Sequence, residues 1–204
     1  MMKYILFVLC LLLSSCVGSK FVEKTSLDAE YISFTKVRAK VKSSKLGNLS
    51  CKGYIYLRRD TSLCFKFFGP LSYELLNGEF KHEFKIYDCY NKRLYGDVLE
   101  LLKKKEGIIV NLKVVEDLLL ANSQGFTKEL LNLNKPYLQL DTMGKKGEVI
   151  IMVDNYVKYK VTIVKRGLLP KTIVIENKDE FDNYTIYLEF LSISNERKKC
   201  NFNF

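Results

Sequence analysis

From Phe34 onward the chain alternates apolar and polar positions with a period of two. Val37, Ala39 and Val41 fall on one side of the first such segment and Lys36, Arg38, Lys40 and Lys42 on the other, as in a strand with one wet face. The pattern returns in Cys51 to Arg59, Leu63 to Phe68, Tyr73 to Phe80 and Phe84 to Tyr90, with breaks at Asp60-Thr61, Gly69-Pro70 and Asn91-Lys92. Consecutive strands with short breaks predict an antiparallel meander. The period then turns helical for two short segments. Asp97 caps the first, with Glu100 three residues on, Val98, Leu101 and Leu102 on one face and Gly107 as its stop. Asn111 caps the second, where Leu112, Val115 and Leu119 recur at helical spacing and Val114 and Leu118 widen the apolar face, so this helix is expected to pack on the sheet. Beyond Pro136, strands are expected over residues 137–143, 148–154, 156–165, 171–177 and 184–194. Several of these are apolar on both faces and need cover on both sides. The expected fold is therefore mainly β with short helices, an α+β domain whose interior is either a packed core or an apolar cavity.

The first residues follow a different logic. Lys3 is a minimal basic start, Tyr4 to Leu13 an apolar run too short to span a bilayer of about 30 Å, and Ser14-Ser15 the small residues that precede a signal-peptidase cut. Cys16 directly after them completes a pattern resembling the lipobox of bacterial lipoproteins. Residues 1–15 are thus read as a signal peptide and Cys16 as a lipidated first residue, an acyl (palmitate-type) anchor to membrane lipid. Residues 16–30 form a linker, 31–195 a single domain and 196–204 a loose tail. Two or more acyl chains hold firmly where one is marginal, each buried methylene contributing about 0.8 kcal/mol.

Charge narrows the partners. The full chain carries +10, and without Lys3 it keeps 32 basic against 23 acidic residues. Behind a lipid anchor, such a surplus faces an anionic membrane surface rather than nucleic acid, for which the Lys36–Lys42 stripe lacks a base-stacking platform. Cys51, Cys64, Cys89 and Cys200 remain after Cys10 leaves and Cys16 is acylated. They show no metal-ligand spacing, and His82 is the chain's one histidine, so no metal or cofactor is expected. Four cysteines allow three pairings and the spacing does not choose among them. If a two-residue turn at Asp60-Thr61 sets the register, Cys64 faces Leu57 rather than Cys51, which favours small buried hydrophobes over a bridge. The chain has no Gly-x-Ser-x-Gly elbow, His-Glu-x-x-His, Walker loop or dinucleotide fingerprint, so it reads as a non-enzyme.

The stretch Phe65 to Asn122 resembles the middle of the outer-membrane lipoprotein receptor family, LolB-like within the LolA/LolB-like superfamily, and a related family of uncharacterised Bacteroidetes lipoproteins. The residues carrying the resemblance are Gly69-Pro70-Leu71 with Tyr73-Glu74-Leu75-Leu76, Ile86-Tyr87-Asp88 with Asn91-Lys92-Arg93-Leu94-Tyr95, the helix from Asp97, and Leu112 to Ala121. The second helix departs from the family in lacking its tryptophan and glycine. The resemblance implies a strongly curved antiparallel sheet, an incomplete barrel closed by helices around a cavity for acyl chains. It implies that Leu71, at a Gly-Pro turn, inserts into the target membrane, and that Ile55, Leu57, Leu118, Leu119, Ile151, Val161, Ile163, Ile186 and Leu188 line the cavity. The function implied is a non-enzymatic, lipid-anchored receptor or carrier in lipoprotein localisation at the periplasmic face of the outer membrane, served by a periplasmic lipoprotein carrier. The alternative is a structural lipoprotein that binds an envelope protein or acidic glycan through Lys36, Arg38, Lys40 and Lys42.

Overall fold

The computed structural model describes residues 26, 28–44, 47–96, 98–134, 138–141, 147–153, 156–177 and 183–198. The signal peptide, Cys16, the linker as far as residue 25, Asp97 and Cys200 lie outside the described residues.

Eleven strands form one open antiparallel sheet: β1 (Tyr31–Ser43), β2 (Gly47–Arg58), β3 (Ser62–Phe68), β4 (Glu74–Phe80), β5 (Phe84–Asp88), β6 (Arg93–Tyr95), β7 (Leu138–Asp141), β8 (Glu148–Val153), β9 (Tyr156–Arg166), β10 (Leu169–Asn177) and β11 (Tyr184–Ser194). Their order is β6-β5-β4-β3-β2-β1-β11-β10-β9-β8-β7, two meanders joined where the first strand pairs with the last. Three helices lie between the meanders in sequence: α1 (Val98–Glu106), α2 (Leu112–Leu119) and α3 (Ser123–Asn134).

Alternation decides which face is inner. Ala39 pairs with Cys51 on one side and Leu188 on the other, and Leu188 with Ile173, so one row of apolar side chains crosses four strands. A bulge between Phe34 and Val37 shifts the phase by one, which lets Ile32 and Phe34 join Val37 and Ala39 on the same buried face. The phenylalanines of β3 to β5 pack beside them, with Phe65 6.0 Å from Phe84 and Phe80 5.3 Å from Phe84 between ring centroids. The strands leave room for these rings by using glycine. A Cβ on Gly78 would sit 2.5 Å from the Phe65 ring, and one on Gly53 would meet Phe67 at 2.6 Å.

Asn111 caps α2 as expected, its side-chain oxygen accepting from Val114 N at 2.9 Å. The helix packs Leu112, Val115, Leu118 and Leu119 into a cluster that joins the first meander to β10 and β11. A buried carboxylate fixes it there. Glu116, fully buried, accepts from Arg59 Nε at 3.1 Å and from the Asp60 backbone N–H at 2.9 Å, tying α2 to the β2–β3 turn. Lys113 adds contacts to Glu116 at 3.4 Å and to Asp117 at 3.7 Å.

Sequence reasoning missed α3, whose interior Gly125 and Thr127 weaken the helical signal. Asn122 opens it by accepting from Gly125 N at 3.2 Å, and Phe126 and Leu130, one turn apart, bury it against β8 and β9. The short edge strand β6 is a second addition.

The β2–β3 turn holds three residues, since Arg58 faces Ser62, with Asp60 left-handed at φ 53°. Cys64 therefore opposes Tyr56, not Leu57, and sits on the outer face. The expectation of unbridged thiols is corrected there, because Cys64 is disulfide-bonded, with its partner outside the described residues. Cys51 and Cys89 are free, and burial pushes both thiols up from their ordinary range. The expected loose tail is held at its start. The Asn195 side chain donates to Tyr31 O at 3.1 Å, Ser33 Oγ donates to Glu196 O at 2.7 Å, and Arg197 lies 5.4 Å over the Tyr31 ring. Arg197 and Lys198 of this returning segment line a groove together with Ser33 and Cys64.

Gly78→Ala should lower stability by about 1–3 kcal/mol, as overpacking does, read as a fall in urea midpoint at unchanged m-value. Glu116→Gln, which keeps an acceptor for Asp60 N–H but loses the charge, should cost about 2–3 kcal/mol by the same measurement. Burial alone would lower the Lys113 pKa, but Glu116, Asp117 and Asp60 outweigh it and raise it above 10.5. A raised amine stabilises fully below its unfolded pKa and loses that contribution as pH rises through the folded one. The stability difference between wild type and Lys113→Gln should therefore hold steady near neutrality and shrink above about pH 10.5.

Candidate functional site

Two features stand out, a cavity under the helices and an exposed loop, at opposite ends of β3 and β4. The cavity, about 630 Å³, lies between the β2–β3 turn, the β4–β5 turn, α1 and the α1–α2 link. Phe80, Phe84, Leu99, Val110 and Leu112 supply apolar wall, while Lys81, His82, Lys103 and Lys113 stand at its polar side with Asp60. The size suits a small ligand or a segment of acyl chain. Its α1–α2 wall is held by Asn134 of α3. That buried side chain accepts from Ile109 N at 2.6 Å and donates to Ile109 O at 2.9 Å, satisfying a backbone unit that otherwise has no strand beside it.

The nine residues expected to line a cavity stand elsewhere. Ile55, Leu57 and Leu119 are buried in the cluster under α2, with Leu188 packed against it, and Ile151, Val161 and Ile163 are buried in a second cluster under α3. Leu118 bridges the two clusters and Ile186 is half-buried. Of the nine, Leu57 borders a groove on the outer face. These side chains are core, and the residues at the cavity were missed because turns and helix ends carry them. Phe80 and Phe84, flanking the turn at His82, were the available signal.

The loop is built to display Leu71. Gly69 N donates to Tyr73 O at 3.0 Å and Ser72 N to Gly69 O at 3.2 Å, closing a tight turn from Gly69 to Tyr73. The Tyr73 ring lies against Gly69, where a Cβ would stand 2.7 Å from Cζ. Leu71 and Ser72 are both left-handed, at φ 60° and 61°, a strained conformation for a leucine. The Leu71 side chain is 100% exposed, so it does not fold back onto the core.

The basic stripe lies on the outer face. Arg38 pairs with Glu189 at 2.8 Å, Lys42 lies 5.6 Å over the Tyr187 ring, and Lys36 and Lys40 are exposed. A groove of about 840 Å³ runs from this stripe to the loop, lined by Lys36, Arg38 and Lys52 at one side and Pro70, Leu71 and Ser72 at the other. His82 is exposed in its turn, and among the described residues no group of three His, Cys, Asp or Glu is placed to hold a metal ion. No helix among them is long and apolar enough to cross a membrane.

No family model and no curated protein matches the chain. Solved structures that resemble it include a LolA superfamily protein of Nitrosomonas europaea, with a TM-score of 0.41 at 6% sequence identity over 84% of this chain and 89% of that one.

Proposed function

We propose that the protein is a lipid-anchored, non-enzymatic carrier or receptor for acyl chains in the bacterial cell envelope, acting in lipoprotein localisation at the periplasmic side of the outer membrane. The observation that carries this reading is Leu71, a leucine held wholly in solvent by a closed, left-handed turn. Such an arrangement costs backbone strain and gains nothing in water, whereas burying a leucine in an apolar medium is worth about 1.5–3 kcal/mol. The cavity under α1 and α2 would receive part of the acyl chain, with the sheet wrapped about the helices as an incomplete barrel. Chains would pass between similar apolar surroundings by exchange, which needs no covalent step. Cys16 would carry the anchor, and a periplasmic lipoprotein carrier would be the donor.

The alternative, binding of an envelope protein or acidic glycan through the basic face, draws on Lys36, Arg38, Lys40 and Lys42. It is the weaker reading because Arg38 and Lys42 are already engaged by Glu189 and Tyr187.

Displacement of a fluorescent fatty acid, read beside native mass spectrometry, should show saturable, stoichiometric acyl binding. Val110→Trp, filling the cavity, should weaken it on the order of tenfold, about 1.4 kcal/mol, at unchanged thermal midpoint. Gln at all four stripe positions should leave acyl affinity unaltered. Leu71→Glu should retain acyl binding and folding yet block delivery of acylated protein to vesicles; normal delivery by that variant would remove the loop from the account.

A further inference from the structure

Five of the large apolar side chains that the protein leaves in solvent fall within one stretch, Leu71 to Tyr95: Leu71, Tyr73, Tyr90, Leu94 and Tyr95. Tyr90, 79% exposed, is the most prominent after Leu71 among these five. It sits in the β5–β6 turn, and since β3 to β6 are consecutive antiparallel strands, that turn and the Leu71 loop emerge from the same end of the sheet. They are also tied together, Cys89 N donating to Leu75 O at 3.0 Å. The turn is braced from within. Asp88 Oδ1 accepts from Tyr90 N and Asn91 N, both at 3.0 Å, and Asp88 Oδ2 from Asn91 Nδ2 at 2.7 Å. Tyr90 is thus projected by a built turn, flanked by exposed Lys92 and Arg93. On the other side of the Leu71 loop lies the groove bearing Lys36, Arg38 and Lys52.

We propose that this end of the sheet docks on an anionic lipid bilayer through two apolar tips, Leu71 and Tyr90, with lipid head groups received by Lys36 and Lys52 in the groove beside the loop. The proposal rests on the Leu71 reading and extends it to a second anchor and a lipid class. A tyrosine, with an apolar ring and a polar hydroxyl, suits the head-group level, where leucine reaches deeper. The occupant is lipid rather than a protein edge because apolar tips and cations alternate across the face, the pattern of interfacial binding to anionic membranes.

The chain has no tryptophan, so one introduced residue reports alone. The full chain would be prepared as Leu71→Trp, Tyr90→Trp and Leu168→Trp. Leu168, 80% exposed in the β9–β10 turn at the opposite end of the strands, is the control. With phosphatidylglycerol vesicles, emission of the first two should move to shorter wavelength and be quenched by brominated acyl chains, while Leu168→Trp stays unmoved. Phosphatidylcholine vesicles should give a smaller shift, and adding Lys36→Gln with Lys52→Gln should abolish the difference between the two lipids. A shift at Leu71→Trp without one at Tyr90→Trp overturns the second anchor and leaves the loop reading standing. Silence at both overturns the loop reading as well. Equal response to both lipids in the wild-type background overturns the head-group groove.

Discussion

The buried carboxylate of Glu116 organises the covered face of this protein. Glu116 is fully buried, and an isolated charge in such a place would be prohibitively costly. Arg59 and the Asp60 amide satisfy it from the β2–β3 turn and Lys113 from its own helix, two elements that no backbone ladder joins. The arrangement lays α2 across the first meander at one orientation, since the carboxylate must reach the β2–β3 turn while Leu112, Val115 and Leu119 reach the aromatic floor. The α1–α2 link is then clamped from the other side by Asn134, and the cavity is the space left between two fixed walls.

Strands were legible in the sequence because each has one wet face, and alternation records that directly. The Lys36–Lys42 side chains against Val37, Ala39 and Val41 are the clearest case, as is the Asn111 cap. Where interactions between distant residues decide, the pattern is mute. The β2–β3 turn was short by one residue because left-handed Asp60 is held by Glu116, 56 positions away. Helix α3 has weak intrinsic propensity and exists because Phe126 and Leu130 find β8 and β9. Cys64 escaped for a related reason, since a disulfide joins residues that cysteine spacing alone does not pair. Apolar residues in strands could be identified as buried, but whether they line a space or fill it depends on the helices, and here they fill it.

The two faces of the sheet divide the chemistry. Inward, glycine at positions 53 and 78 makes room for rings, so the core is dense where the first meander is most aromatic. Outward, cations are set among tyrosines and carboxylates, and Arg38 and Lys42 are kept in place by Glu189 and Tyr187. Part of the positive charge is therefore displayed on a strand that is hydrogen-bonded to a neighbour on each side.

The cavity and Leu71 occupy opposite ends of β3 and β4, seven-residue strands that separate them by roughly 20 Å. A molecule standing on a bilayer by its Leu71 end would keep the other opening in the aqueous phase. Loading from a soluble donor and contact with the acceptor membrane would then be compatible at the same moment, and passage of cargo would have to run the length of the strands or await a change of orientation.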